Sequence, residues 1–235
     1  MNSISHASLH LVTGLRRIRR GLLLACAALP ALALAGAALA QDGGAEALRA
    51  AIRDFGQGRN QDDGAAVDRA AGEFKQLLAQ EPGNPLYLSY YGSALALQAR
   101  HAWAPWNKMK YAERGLDAID KSLALLQPQH ESQLLAGMPV ALVTRLVALS
   151  TYVGVPDMFH RLGDARELLQ RTYQSPSFGG APDGLKAAFA YQAALIARRD
   201  GKRDAELEQL RQVLTLGPSG EEAPKASARL REIGQ

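Results

Sequence analysis

The chain has 235 residues, with 27 Lys and Arg against 23 Asp and Glu and a formal net charge of +4. Four of the basic residues and none of the acidic ones fall in the first 40, so from Gln41 onward the two counts balance at 23 and a basic nucleic-acid-binding surface is excluded. Cys26, the only cysteine, lies in the same stretch, which leaves the remaining chain without a disulfide or a thiol nucleophile.

Met1 to Arg20 is a basic segment carrying Arg16, Arg17, Arg19 and Arg20. Gly21 to Ala40 follows as an uncharged Ala- and Leu-rich run ending in Ala38-Leu39-Ala40. A basic start, an apolar centre and a small-x-small exit are what signal peptidase reads, so cleavage is expected after Ala40 and the mature chain in the periplasm, without stable membrane insertion. Other readings share the segment. Twenty uncharged residues can just span a bilayer as an anchor, although so much alanine makes a weakly hydrophobic one. Leu23-Leu24-Ala25-Cys26 offers a lipoprotein cysteine, but uncharged residues continue to Ala40 where a polar tether belongs. Arg19-Arg20-Gly21-Leu22-Leu23 resembles a twin-arginine signal that lacks the usual Ser/Thr before and Phe after. The organisation expected is a leader over 1–40, a linker and first helix over 41–60, and a helical domain over 61–235.

Apolar spacing predicts helices nearly everywhere after the leader, and runs of alternating β-branched residues are missing. The first, over about 45–56, places Leu48, Ile52 and Phe55 on one face; the second, over 65–80, does so with Val67, Ala70, Phe74 and Leu77. Pro82, Gly83 and Pro85 break the chain before a third helix over 85–102. A fourth starts at Pro105, a residue suited to a first helical position, and carries Trp106, Met109, Ala112, Leu116, Ile119 and Leu123 at steps of three and four until Pro128 stops it. PVALVTRLVALSTYV (139–153) is apolar on nearly all sides and too short for a membrane span, so it reads as the buried central helix. Helices over 164–174, 184–199, 202–216 and 221–232 complete the chain, with the breaker-rich loop QSPSFGGAPDG between the first two.

Several of these segments repeat one another. GKRDAELEQLRQVLTLGP (201–218) has a turn glycine at Gly201, an apolar triplet at Leu210, Val213 and Leu214, and a stop at Pro218. AAVDRAAGEFKQLLAQEPGNP (65–85) repeats the theme with Ala70, Phe74, Leu77, Leu78 and Pro82; NPLYLSYYGSALAL (84–97) supplies Leu88, Tyr91, Gly92 and Leu95; LGDARELLQRTYQSP (162–176) is a weaker copy with Ala165 and Leu169. In this pattern the chain resembles the tetratricopeptide-repeat (TPR) superfamily over most of 60–218. It departs from the family at Glu206, where alanine is usual. The resemblance implies an all-α, right-handed superhelical solenoid of helical hairpins, with the polar last helix as a C-terminal cap.

Against that pattern one hairpin is too long. The small residue expected to face Gly92 about a dozen positions later is instead Gly115, so about three turns of helix extend both arms and RHAWAPWNKMKY (100–111) is their tip. It holds both tryptophans of the chain. Trp106, on the apolar stripe of the fourth helix, is expected to seal the tip against the 139–153 helix; Trp103, on the loop side of Pro105, is the candidate exposed anchor for a partner.

No catalytic constellation stands out, and no cofactor is implied. The histidines after the leader, His101, His130 and His160, are far apart; His130-Glu131 begins like H-E-x-x-H but meets Leu134, so no zinc pair forms. NQDDGAAVD (60–68) lacks the ligand alternation of a calcium loop and reads as a solvated loop with a helix cap. The concave face of TPR-like repeats is lined by outward residues of the first helices, here Ser89, Ser93, Tyr191, Gln192 and Arg198, a set without the carboxylate-clamping residues of some members. The expected function is a non-catalytic scaffold or adaptor that binds an envelope protein or peptide segment; the alternative is a binding component for a hydrophobic small molecule or lipid serving a transport system.

Overall fold

Proline and asparagine set where the helices begin. In the computed structural model, which describes residues 44–234, the first helix (α1) runs over 44–61. The expected export signal, Cys26 and the expected cleavage position at Ala40 lie outside the described residues. Asp63 then caps α2 (Gly64–Gln80), its Oδ1 accepting from the backbone N–H of Ala65 at 3.0 Å and Ala66 at 3.2 Å. Asn84 caps α3 (Pro85–His101) in the same way through Leu86 and Tyr87, with Pro85 in the first turn where its missing N–H costs nothing. Pro105 opens α4 (Pro105–Ala124) after a three-residue turn.

Helix α4 stops at Ala124, short of Pro128, which instead opens a short 3₁₀ turn, Pro128–Glu131. Among the described residues the β-structure is a minimal hairpin, Leu134–Leu135 against Met138–Pro139, which helical periodicity did not announce. Ala136 and Gly137 form its bend with φ of 49° and 80°, the pair of positive values that a two-residue hairpin turn requires. Helix α5 (Val140–Gly154) follows, then a 3₁₀ turn at Asp157–Phe159 and α6 (Leu162–Tyr173). Helices α7 (Asp183–Arg199), α8 (Arg203–Leu216) and α9 (Ala223–Glu232) close the chain.

The described structure is therefore all-α in character, with sequential helices packed as neighbours: α2 on α3, α3 on α4, α7 on α8, α8 on α9. Helix α5 packs against α3, α4, α6 and α7, and Ala141, Leu142, Ala148 and Leu149 are fully enclosed. Its buried hydroxyls stay satisfied within the helix, Thr144 Oγ1 donating to the Val140 carbonyl at 2.9 Å and Thr151 Oγ1 to that of Val147 at 2.8 Å. Residues from Ala50 on form one contact unit. On its α1–α3 side the Tyr90 ring stacks on Phe74 at 4.9 Å and takes the edge of Phe55 at 5.1 Å; burial pushes the Tyr90 phenol up to about 12. On its α7–α9 side Ala190, Ala194, Leu210, Val213, Ala226 and Leu230 form a core cluster.

The α3–α4 crossing fixes the geometry of the functional region. A Cβ built on Gly92 would lie 2.7 Å from the Gly115 carbonyl oxygen, and one on Gly115 would lie 2.7 Å from that of Gly92. The two backbones touch there, as the sequence spacing suggested. Beyond the crossing both helices continue to the turn at Ala102–Ala104.

Candidate binding groove and aromatic tip

The arms beyond Gly92 and Gly115 form one wall of a groove of about 560 Å³. Ser93, Ala96, Leu97, Ala99 and Arg100 face it from α3, and Pro105, Lys108, Met109 and Ala112 from α4. The end of α5 adds Ser150, Thr151 and Gly154, the following segment adds Val155, Pro156, Met158 and Phe159, and Arg59 reaches in from α1. Small residues on α3 leave room, while Leu97, Met109, Met158 and Phe159 make the walls apolar. Thr151 Oγ1 lies 2.9 Å from Ser93 Oγ, so these two lining hydroxyls answer each other.

The charged residues that line the groove are all basic. Arg59, Arg100 and Lys108 line the groove and no carboxylate does. Arg100 donates to Asp62 at 2.6 Å and Arg59 to Glu221 at 2.6 Å, so acids standing outside the lining hold the guanidiniums in place.

Trp103 and Trp106 flank Pro105 at the tip, and both stand in solvent, 92% and 70% exposed. The expectation that Trp106 seals the tip is thereby corrected. Its position in the apolar stripe of α4 is real, but the stripe is covered only from Met109 onward, which leaves Trp106 in the first turn uncovered. Met158, 60% exposed, adds to the apolar surface on the groove.

No family model, curated protein or solved structure matches this chain. The groove and the tip are thus characterised by their own residues.

The other sequence-derived site residues do not assemble. Ser89 was expected on an open concave face; it is fully buried, its hydroxyl donating to the Leu86 carbonyl at 2.8 Å. Ser93 is buried too, and meets the groove through its pairing with Thr151. The physical reason is common to both: a serine that bonds back to its own helix or to a neighbouring hydroxyl can sit in the core without an unmet polar atom. Tyr191 and Gln192 are half-buried, Tyr191 packing against the α7–α9 cluster, and Arg198 is exposed on the same helix; none of the three lines the groove.

Several residues weighed for chemistry make structural contacts. Asp63 caps α2, as the acidic 60–68 loop suggested. His130 Nδ1 accepts from the Gln127 backbone N–H at 2.9 Å. Its neighbour Glu131 takes hydrogen bonds from Arg145 of α5 and from the Ser177 hydroxyl. Burial would raise the Glu131 carboxyl, but those two donors outweigh it and hold the group below its ordinary value. His101 lies against Gly64, and His160 lines a separate cleft with Tyr152 and Arg161. In that region Tyr152 and Arg161 both bond Asp120, and the guanidinium sits 4.4 Å from the Tyr152 ring centre, pinning α4, α5 and the start of α6. No group of His, Cys, Asp and Glu suited to a metal occurs among the described residues.

Sequence reasoning missed most of the groove. Lys108 and Met109 stood inside the tip motif, but Met158 and Phe159, in GVPDMF, went unread; two large apolar residues in a proline-containing loop were the available signal.

Proposed function

We propose that this chain is an exported, non-catalytic scaffold protein of TPR-like architecture, working in the periplasm after its leader is removed at Ala40. It holds an envelope protein by the tip of its α3–α4 hairpin. The observation that carries this reading is the exposure of both tryptophans at that tip. Tryptophan is the residue type most enriched at binding hot spots, and an indole left in water is a standing gain for any partner that covers it. Support for the TPR-like part comes from consecutive helices packed as neighbours, the glycine-to-glycine crossing, and a short amphipathic α9 laid on α8. On this reading the helical hairpins form a right-handed superhelix.

Docking would work by coverage rather than chemistry. Pro105 fixes the backbone at the start of α4 between the two exposed indoles, so less conformational freedom is lost when a partner closes over them. Replacing Trp103 by Ala should cost about 2–4 kcal/mol of binding, the usual range for such an anchor. The test is a photo-crosslinking amino acid at the exposed position 107, beside Trp106, in the intact cell envelope, which leaves both indoles in place. A discrete crosslinked protein that disappears in the Trp106→Ala background supports the scaffold; the same diffuse pattern as at the exposed Lys75 on α2 opposes it.

A further inference from the structure

We propose that the groove beside the tip is a binding site for a long-chain fatty acid, held as its carboxylate. This is a second activity, independent of whether the tryptophans hold a protein.

Three observations converge on that class of ligand. The walls offered by Leu97, Met109, Val155, Met158 and Phe159 are apolar, and the hydroxyls of Ser93 and Thr151 are paired with each other, so an alkyl chain strands no polar group. The charged lining residues are all cations. Arg59 and Arg100 are each fixed by one carboxylate and keep further N–H donors, while Lys108 is exposed and joined to no carboxylate among the described residues. A neutral apolar molecule would leave those donors unused; a carboxylate engages them. The size fits as well. At about 560 Å³ the groove lies in the range that takes a single small ligand, such as one alkyl chain with its headgroup.

Each methylene transferred from water into the groove contributes about 0.8 kcal/mol, which makes chain length the main determinant of affinity. The charged end adds selectivity against alcohols of the same length.

The experiment is calorimetric titration of the purified protein with palmitate below its micelle concentration, with hexadecanol and octanoate in parallel. The expected result is one palmitate per chain, with hexadecanol about tenfold weaker and octanoate weaker by at least a hundredfold. Lys108→Glu should weaken palmitate about tenfold and leave hexadecanol unchanged. Ala99→Phe and Gly154→Phe each place a ring in the groove, at positions with side-chain room at Gly154, and should abolish binding of both while the thermal transition stays in place. Failure of palmitate to bind, hexadecanol binding as tightly as palmitate, or undiminished binding by a folded groove-filled variant would each overturn the proposal. Trp103→Ala should leave palmitate affinity within about twofold, which separates this site from the tip's partner.

Discussion

Gly92 and Gly115 face each other so closely that neither position has room for a β-carbon: 2.7 Å separates each hypothetical Cβ from the other residue's carbonyl oxygen. The contact is backbone on backbone, so no side-chain rotation can relieve an added methyl. Gly92→Ala or Gly115→Ala should therefore destabilise by about 2–4 kcal/mol, read from urea unfolding. Gly72, on the solvent face of α2 with nothing within 4 Å of its Cβ position, is the counterpart: Gly72→Ala should stabilise by about 0.5–1 kcal/mol. A neutral Gly92→Ala would show that the helices do not touch there.

Glu206 and Arg229 join α8 to α9, with Nε donating to Oε1 at 2.6 Å and a second contact at 3.4 Å. Glu206 is 4% exposed, and its carboxylate reaches a partner supplied by the last helix, so the pair orients α9. Glu206→Ala should loosen α9 before the rest of the chain, seen as faster amide hydrogen exchange over Ala223–Glu232 with α2–α5 unchanged. Equal loosening throughout would argue against a local clasp.

Acid should act through Glu131. Its folded-state carboxyl titrates below the ordinary value because Arg145 and Ser177 bond the ionised form. A group depressed on folding stabilises fully above its unfolded pKa, about 4.3, and that contribution is lost as pH falls through the folded value. The difference in stability between the native chain and Glu131→Gln should hence be constant from pH 7 to about 5 and shrink below about 4. A difference that grows on acidification would reverse the assignment.

Tryptophan emission reports on the tip alone, because Trp103 and Trp106 are the only tryptophans in the chain. With both exposed, the folded protein should emit near the wavelength of free indole in water and be quenched by acrylamide and iodide almost as in the unfolded state. Blue-shifted, shielded emission would mean that the tip is covered.

Much of the helical layout was legible because prolines and apolar spacing coincide. Pro85 and Pro105 open helices, and the 139–153 run became α5 displaced by one residue. The Gly92–Gly115 contact was legible for a similar reason: small residues on two adjacent helices mark where backbones approach. Trp106 was not. Periodicity assigns a residue to a face of its helix, but says nothing about whether a neighbouring helix extends far enough to cover that face. Ser89 misled in the opposite sense, since its hydroxyl is satisfied by its own helix and needs no water. The groove was least legible, for its lining comes from Arg59 to Phe159 and meets only after α3, α4 and α5 have packed. Glu206 stood out in the sequence, yet its partner lay 23 residues away in Arg229.

The most direct test of the central claim is crosslinking from position 107 in the intact cell envelope, with Lys75 as a second exposed site on the same protein. One discrete protein should be captured from position 107, be absent from position 75, and be lost when Trp103 or Trp106 is Ala. Indistinguishable patterns from the two positions, unaffected by either substitution, would contradict the claim.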